Sequence, residues 1–544
     1  MAYLDTYTTP LTSKTAAHLL RRATFGPTQQ EISAFTGKTA SEAVDLLISN
    51  SSFTLNPPPP VEMQESRSDY GQTFLDKPFT SRHFVYYSYI KYWWIGLMAQ
   101  QNNKPSVLEK LTAFWQNHFV TTYASFEDYR PVDKYIRLLR SEALGNFRNL
   151  VIGISKDPAM LFFQNGNEST KTHPNENFAR ELQELFTVGQ KDYNGNPNYT
   201  EDDVKAAARV LTGWQVKSQT GMGSDSLGAV FTATRHDTTD KTFSAHYNGT
   251  VIAGRSGDSG GDEELGDLVE MLLRHPETPK FICRKLYRWY VNPNVTQDIE
   301  DGVIVPLANF FKSTANNFAI APVVGKLLKS QIFFDTRNIG AIVKSPSELM
   351  IGTLRFFDQR VPDITQEPAA FRTMMTFLAN SMDAMQLNLL NQPSVFGSIP
   401  YFQTGYSKNW INETSLGLRG DGTDKFVNPT LTIKPGYLLG ADIIARLTAI
   451  QPNFSDVSGT PSITCEDVLA ELSKNMFATD LDQAQKDFLI DSIMMMNSSS
   501  RTTWVREWDA FRADPTNVNK KGTINWRCRA LLKYMLRMAE YQLF

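Results

Sequence analysis

Apolar residues along the chain recur mostly at helical spacing, and one stretch shows the pattern most clearly. Residues 173–189 read His-Pro-Asn-Glu-Asn-Phe-Ala-Arg-Glu-Leu-Gln-Glu-Leu-Phe-Thr-Val-Gly. On a helix, Phe178, Leu182, Leu185 and Phe186 fall at i, i+4, i+7 and i+8 and form one apolar stripe. Asn177, Arg180, Glu181 and Glu184 fall on the other side. A second helix is predicted from Tyr199 to Trp214, opened by Thr200 with Asp203 at the capping-box position and closed at Gly213.

The same periodicity predicts helices over 13–25, 29–50, 80–120, 131–144, 146–154, 263–274, 279–291, 297–311 and 315–329, and another opening at Lys344-Ser-Pro-Ser-Glu348. Helices return near 438–449, 464–474, 481–495 and 522–543. Two zones break the pattern. Residues 215–262 are rich in Gly, Ser, Thr and Asp with short alternating pieces, which predicts a β-hairpin or two in a long excursion. Residues 390–437 read as irregular, with Gly420-Asp-Gly422 among the breaker signals. The predicted fold is mainly α: one large helical unit with small β-hairpin or loop-rich insertions near 215–262 and 390–437. The run Pro57 to Pro60 reads as a stiff exposed connector and offers residues 1–56 as an N-terminal lobe.

Composition narrows the function. At 41% hydrophobic and 20% charged, the 544 residues suit a globular chain with a large core. A net charge of −3 without clustered Lys and Arg argues against nucleic acid as a partner. No run of about 18 apolar residues predicts a transmembrane segment. Cys283, Cys465 and Cys528 are widely spaced, form no CxxC pair and leave a cysteine zinc site without support. The start, Met-Ala-Tyr-Leu-Asp, lacks the basic and apolar parts of a secretory leader.

Candidate chemistry centres on the 173–189 stretch. Asn175 and Glu176 stand where a helix start can be capped or hold an anion. Glu176, Arg180 and Glu184 at i, i+4, i+8 also fit a surface ion-pair ladder, and Arg180, Glu181 and Glu184 fit a buried network between helices. In a catalytic reading, a carboxylate, Glu176 or Glu181, activates water while Arg180 binds an anionic group and Asn175 completes the site. Imidazole with carboxylate suits a divalent metal, and His118, His173 and the pair His236-Asp237 are the candidate ligands. There is no HExxH motif, GxSxG elbow, P-loop or dinucleotide fingerprint.

A set of short motifs, in order, resembles the bacterial family called domain of unknown function 1800. The pieces include His18-Leu-Leu-Arg-Arg-Ala-Thr-Phe-Gly26, Phe114-Trp-Gln-Asn-His-Phe119, Asn175-Glu-Asn-Phe-Ala-Arg-Glu-Leu182 and Ala208-Arg-Val-Leu-Thr-Gly-Trp214. Further on come Arg235-His-Asp237, His275-Pro-Glu-Thr-Pro-Lys-Phe-Ile282, Lys344-Ser-Pro-Ser-Glu348, Gln392-Pro393 and Trp410-Ile-Asn412. The resemblance implies a largely helical bacterial protein, export to the periplasm or beyond, and a sulfatase-like partner encoded nearby; it implies no reaction. The expectation is an exported protein with a His/Asn/Glu/Arg site, hydrolytic and metal-assisted if it is an enzyme. The alternative is a non-catalytic scaffold or assembly partner whose polar residues form a buried network.

Overall fold

The protein is described by a computed structural model covering residues 2–100, 104–217, 223, 226–497 and 500–544. Helices carry most of it. Among the described residues the strands form three separate antiparallel pairs: Trp214–Val216 with Ala229–Phe231, Lys241–Thr242 with Val251–Ile252, and Thr432–Lys434 with Tyr437–Leu438. The fold is mainly α with small hairpins, and the hairpins sit in the two zones where helical periodicity lapses. Residues 218–222, 224 and 225 of the first zone lie outside the described residues. No helix among the described residues is long and apolar enough to cross a membrane.

Local signals place the helix starts. Thr28 and Glu31 form a reciprocal capping box, and so do Thr200 and Asp203. Asp203 also accepts from the Ser244 amide at 2.7 Å and its hydroxyl at 2.8 Å, tying the first zone's second hairpin to the Glu201–Val210 helix.

The second zone differs from expectation. Asn412 caps a 15-residue helix, Glu413–Val427, that runs straight through Gly420 and Gly422. A Cβ on Gly420 would lie 2.8 Å from the Arg537 guanidinium carbon, and one on Gly422 would lie 2.9 Å from the Met350 sulfur. Those glycines are there so that neighbouring helices can pack closely; they do not end a helix.

One hydrophobic cluster extends from Leu11 to Tyr541. Residues of the 2–56 segment share it and are pinned across the molecule by buried arginines. Arg22 donates to the carbonyls of Tyr290, Val291 and Asn338 at 3.3, 3.2 and 2.7 Å. Glu31, beyond its capping bond to Thr28, accepts from Arg355 on both carboxylate oxygens at 2.7 Å. The proline run is held too, since the Pro58 carbonyl accepts from the Trp93 indole at 2.7 Å. The three cysteines are buried free thiols.

Candidate functional site

The 173–189 stretch forms an α-helix over Glu176–Glu181 that widens to a π-turn over Leu182–Thr187. The Thr187 hydroxyl donates to the Leu182 carbonyl at 2.6 Å, and the Val188 amide reaches Gln183 O at 2.9 Å, which satisfies the wide turn. Phe178, Leu182 and Phe186 are buried.

Most of its polar residues are committed to structure. Asn175 caps the helix by accepting from the Phe178 amide at 3.1 Å, and its amide group donates to the Gln164 and Asn165 carbonyls at 2.8 and 2.9 Å. Arg180 forms a two-pronged pair with Glu201 at 2.7 and 2.6 Å near the surface. Glu176 and His173 are exposed, and the His173 ring lies 3.1 Å from the neighbouring Thr172 hydroxyl. Glu181 is half-buried, and burial followed by the nearby Glu184 charge pushes its carboxyl up to about 7.

The four proposed metal ligands do not converge. His236 is buried, with Nδ1 2.9 Å from the Thr212 carbonyl oxygen and Nε2 3.1 Å from Glu264, a carboxylate that also holds the Lys241 ammonium at 2.5 Å. Asp237 accepts from Arg209 Nε at 2.7 Å. Burial opposes its ionisation, but Arg209 and Thr239 outweigh that and hold the carboxyl well below the usual range. His118 lies elsewhere, among aromatic rings. Among the described residues no three His, Cys, Asp or Glu side chains are grouped to hold a metal ion.

What the structure assembles instead is a cavity of about 290 Å³ on the far side of the π-turn. The Glu277–Tyr290 helix gives it Phe281, Lys285, Arg288 and Trp289, at i, i+4, i+7 and i+8 on one face. The Leu108–His118 helix contributes Phe114, Asn117 and His118, and the π-turn contributes Glu184 and Leu185. The second zone closes it with Phe396 and Phe402 from loops and with Tyr401, Tyr406 and Trp410 from two short 3-10 helices, Ile399–Tyr401 and Tyr406–Trp410.

Two carboxylates, Glu184 and Glu348, and two cations, Lys285 and Arg288, line it. Glu348, at one wall, is tied to buried Lys110. Glu184 accepts from the Tyr199 hydroxyl at 2.6 Å. The two other cations have no such partner among the described residues. Arg288 Nε is buried without a hydrogen-bond partner, its guanidinium lies 4.8 Å from the Tyr406 ring centre, and Glu300, whose charge reaches it, is already held by Arg284 at 2.6 and 2.8 Å. Tyr406 meets that guanidinium from a left-handed backbone, φ +45°, a conformation a bulky residue adopts only where its surroundings impose it.

Lys285 Nζ sits 2.9 Å from His118 Nδ1 and 4.9 Å from the Phe281 ring centre. Lys285 is half-buried and lines the cavity. Burial first, then the Arg288 charge, brings its pKa down to about 7. His118 Nε2 is 3.0 Å from the Phe186 carbonyl, to which it must donate. Nδ1 is then the acceptor for Lys285. Burial and the Lys285 charge both keep the ring neutral, its pKa well below the usual histidine value.

The family model described as a protein of unknown function (DUF1800) matches residues 18–543. The chain belongs to the DUF1800 family. Nothing matches among the curated proteins or the solved structures.

Several motifs that carried the resemblance meet at this cavity. From the Phe114–Phe119 motif, Gln116 accepts from the Gln392 amide at 2.9 Å and Asn117 accepts from the Ser398 amide at 2.9 Å, so both pin the closing loop, while His118 holds Lys285. The Gln392 oxygen accepts from the Ser398 hydroxyl at 2.6 Å. Gly397, at φ +87°, leaves room for Asn117, whose oxygen would lie 2.4 Å from a Cβ there.

Lys285 and Arg288 were not singled out from the sequence, although a signal was present. Neither has an acidic residue three or four positions away, and Lys285 is flanked by aromatics at i−4 and i+4. A surface ion-pair helix would carry acids at that spacing.

Proposed function

We propose that the chain binds a small organic anion with an aromatic or apolar body in the Lys285/Arg288 cavity, and that any catalysis there is hydrolytic. The observation that carries this reading is Arg288. A half-buried guanidinium with its Nε buried and no carboxylate partner among the described residues, standing in an aromatic-walled cavity, is the arrangement that recognises a carboxylate, phosphate or sulfate group. The rings of Phe281, Trp289 and Tyr401 supply apolar contact for the remainder of the ligand. For hydrolysis, Glu184 takes over the water-activating role considered for Glu176 and Glu181, because it is the carboxylate of that stretch that faces the cavity. Arg288 likewise takes the anion-binding role considered for Arg180.

Calorimetric titration with phenylacetate, phenyl phosphate, phenyl sulfate and the neutral phenylacetamide tests the reading. At least one anion should bind about tenfold or more tightly than the amide, and Arg288→Gln should abolish that difference. Equal binding of anion and amide, or no binding by any of them, would overturn it. For the hydrolytic step, Glu184→Gln should leave binding in place and remove turnover of aryl esters, phosphates or sulfates.

The scaffold reading keeps support for one group of residues. Asn175, Arg180, His236 and Asp237 are all engaged with internal partners, as a helix-joining network requires. Export and a nearby-encoded sulfatase-like partner belong to the proposal on the strength of the family resemblance. Cell fractionation and co-purification test those two points.

A further inference from the structure

Four lysines among the described residues are more deeply buried than Lys285, and none has its surroundings. Lys91 and Lys241 are paired with carboxylates, Asp383 at 3.4 Å and Glu264 at 2.5 Å, and Lys110 is paired with Glu348. Lys344 lies 3.7 Å from the Tyr541 ring centre and lines a separate small pocket of about 30 Å³. Lys285 faces the cavity with a neutral imidazole as its hydrogen-bond partner. Because His118 Nδ1 accepts one N–H and cannot donate, the lone pair of an uncharged Lys285 amine is turned away from the ring. Arg288 stands one turn further along the same helix face, lining the same cavity.

We infer that Lys285 captures a carbonyl group: the cavity takes an oxo acid with an aromatic or apolar body, Arg288 holding its carboxylate while Lys285 Nζ forms an imine with its carbonyl carbon. This rests on the anion-binding reading above and extends it to a substrate class. The Nζ lone pair adds to the carbonyl carbon, and a C–N bond forms as the C=O π bond opens onto oxygen. The carbinolamine then expels that oxygen as water, which carries off the two protons that were on the neutral amine. No electrons are gained or lost overall. His118 is a positioning residue in this step, and the lowered pKa of Lys285 leaves about half of the amine uncharged at neutral pH, against well under a thousandth for an ordinary lysine.

Reductive trapping of the full chain at pH 7 tests this, with phenylpyruvate as the oxo acid and cyanoborohydride to reduce the imine. Peptide mass mapping should place the adduct on Lys285 at a rate at least about a hundredfold above that of exposed lysines, given their difference in uncharged fraction. Lys285→Arg should lose that adduct while its circular dichroism matches wild type. Arg288→Gln should slow trapping by phenylpyruvate about tenfold and leave trapping by benzaldehyde, which has no carboxylate, within about twofold. Adducts spread over surface lysines in proportion to exposure, with Lys285 unmodified, would overturn the inference. Phenyllactate separates the two claims, since it keeps the carboxylate and ring but has no carbonyl. If phenyllactate binds and phenylpyruvate leaves no adduct on Lys285, imine formation fails and the anion site stands. If neither binds, both fail.

Discussion

Lys285→Met should stabilise the protein at acidic pH and stop doing so as the pH rises. An amine brought from 10.5 down to about 7 binds fewer protons in the folded than in the unfolded state between those values, so wild-type stability should rise with pH across that window. Below it both states are protonated and the full penalty applies, roughly 5 kcal/mol at about 1.4 kcal/mol per tenfold. By pH 9 the penalty has fallen to about 2 kcal/mol on the same arithmetic. Solvent in the open cavity screens the charge, and halving both figures gives about 2.5 and 1 kcal/mol. Methionine fills much the same volume without a charge, but it leaves His118 Nδ1 without its donor, a loss of about 1–2 kcal/mol. The net expectation is a gain of about 1 kcal/mol at pH 6 that disappears or reverses by pH 9. Urea unfolding at the two pH values measures it directly. Melting is a weaker assay, because a chain of this length moves only about 1 °C per kcal/mol. Destabilisation at pH 6, or a difference independent of pH, would refute the reasoning about this amine.

Three further outcomes follow from the same structure. Glu181→Gln removes a half-buried carboxyl whose pKa is raised to about 7, a group that costs the folded state stability as pH climbs from its usual value through 7. The variant should therefore gain about 1 kcal/mol at pH 8 and nothing at pH 4, and a large fall in melting temperature would instead mark Glu181 as part of the helix-joining network. Arg355→Met strands buried Glu31 and vacates bonds to the Gly26 and Ala99 carbonyls, so unfolding should become easier by about 3–5 kcal/mol; a change under about 1 kcal/mol would contradict the role given to that pair. Elemental analysis of purified protein should find less than one divalent metal per chain, with melting unchanged in chelator; a full equivalent whose removal lowers stability would restore the metal reading.

The helices were legible because their signals are local. Thr28 with Glu31, and Thr200 with Asp203, declare helix starts within four residues, and the caps form as their side chains dictate. The Glu413–Val427 helix was not legible, because its glycines make sense only against Arg537 and Met350, far away in the chain. The site divides the same way. His118 could be named from its motif, but its partner Lys285 is on another helix and the carbonyl it donates to is Phe186. The 173–189 stretch does organise the region, though through the π-turn that carries Glu184 and Leu185 to the cavity; Asn175 and Arg180 are occupied by a cap and an ion pair. Spacing along one helix could not reveal which of its carboxylates faces open space.

Recognition of an organic anion in the Lys285/Arg288 cavity, as proposed above, can be seen in a crystal. A crystal soaked with 4-iodophenylacetate tests it most directly, since iodine reports its own position by anomalous scattering. One strong peak is expected among Phe281, Trp289 and Tyr401, with the carboxylate against Arg288. Iodine bound only elsewhere on the protein, or a ligand in the cavity with its carboxylate turned away from both Arg288 and Lys285, would contradict it.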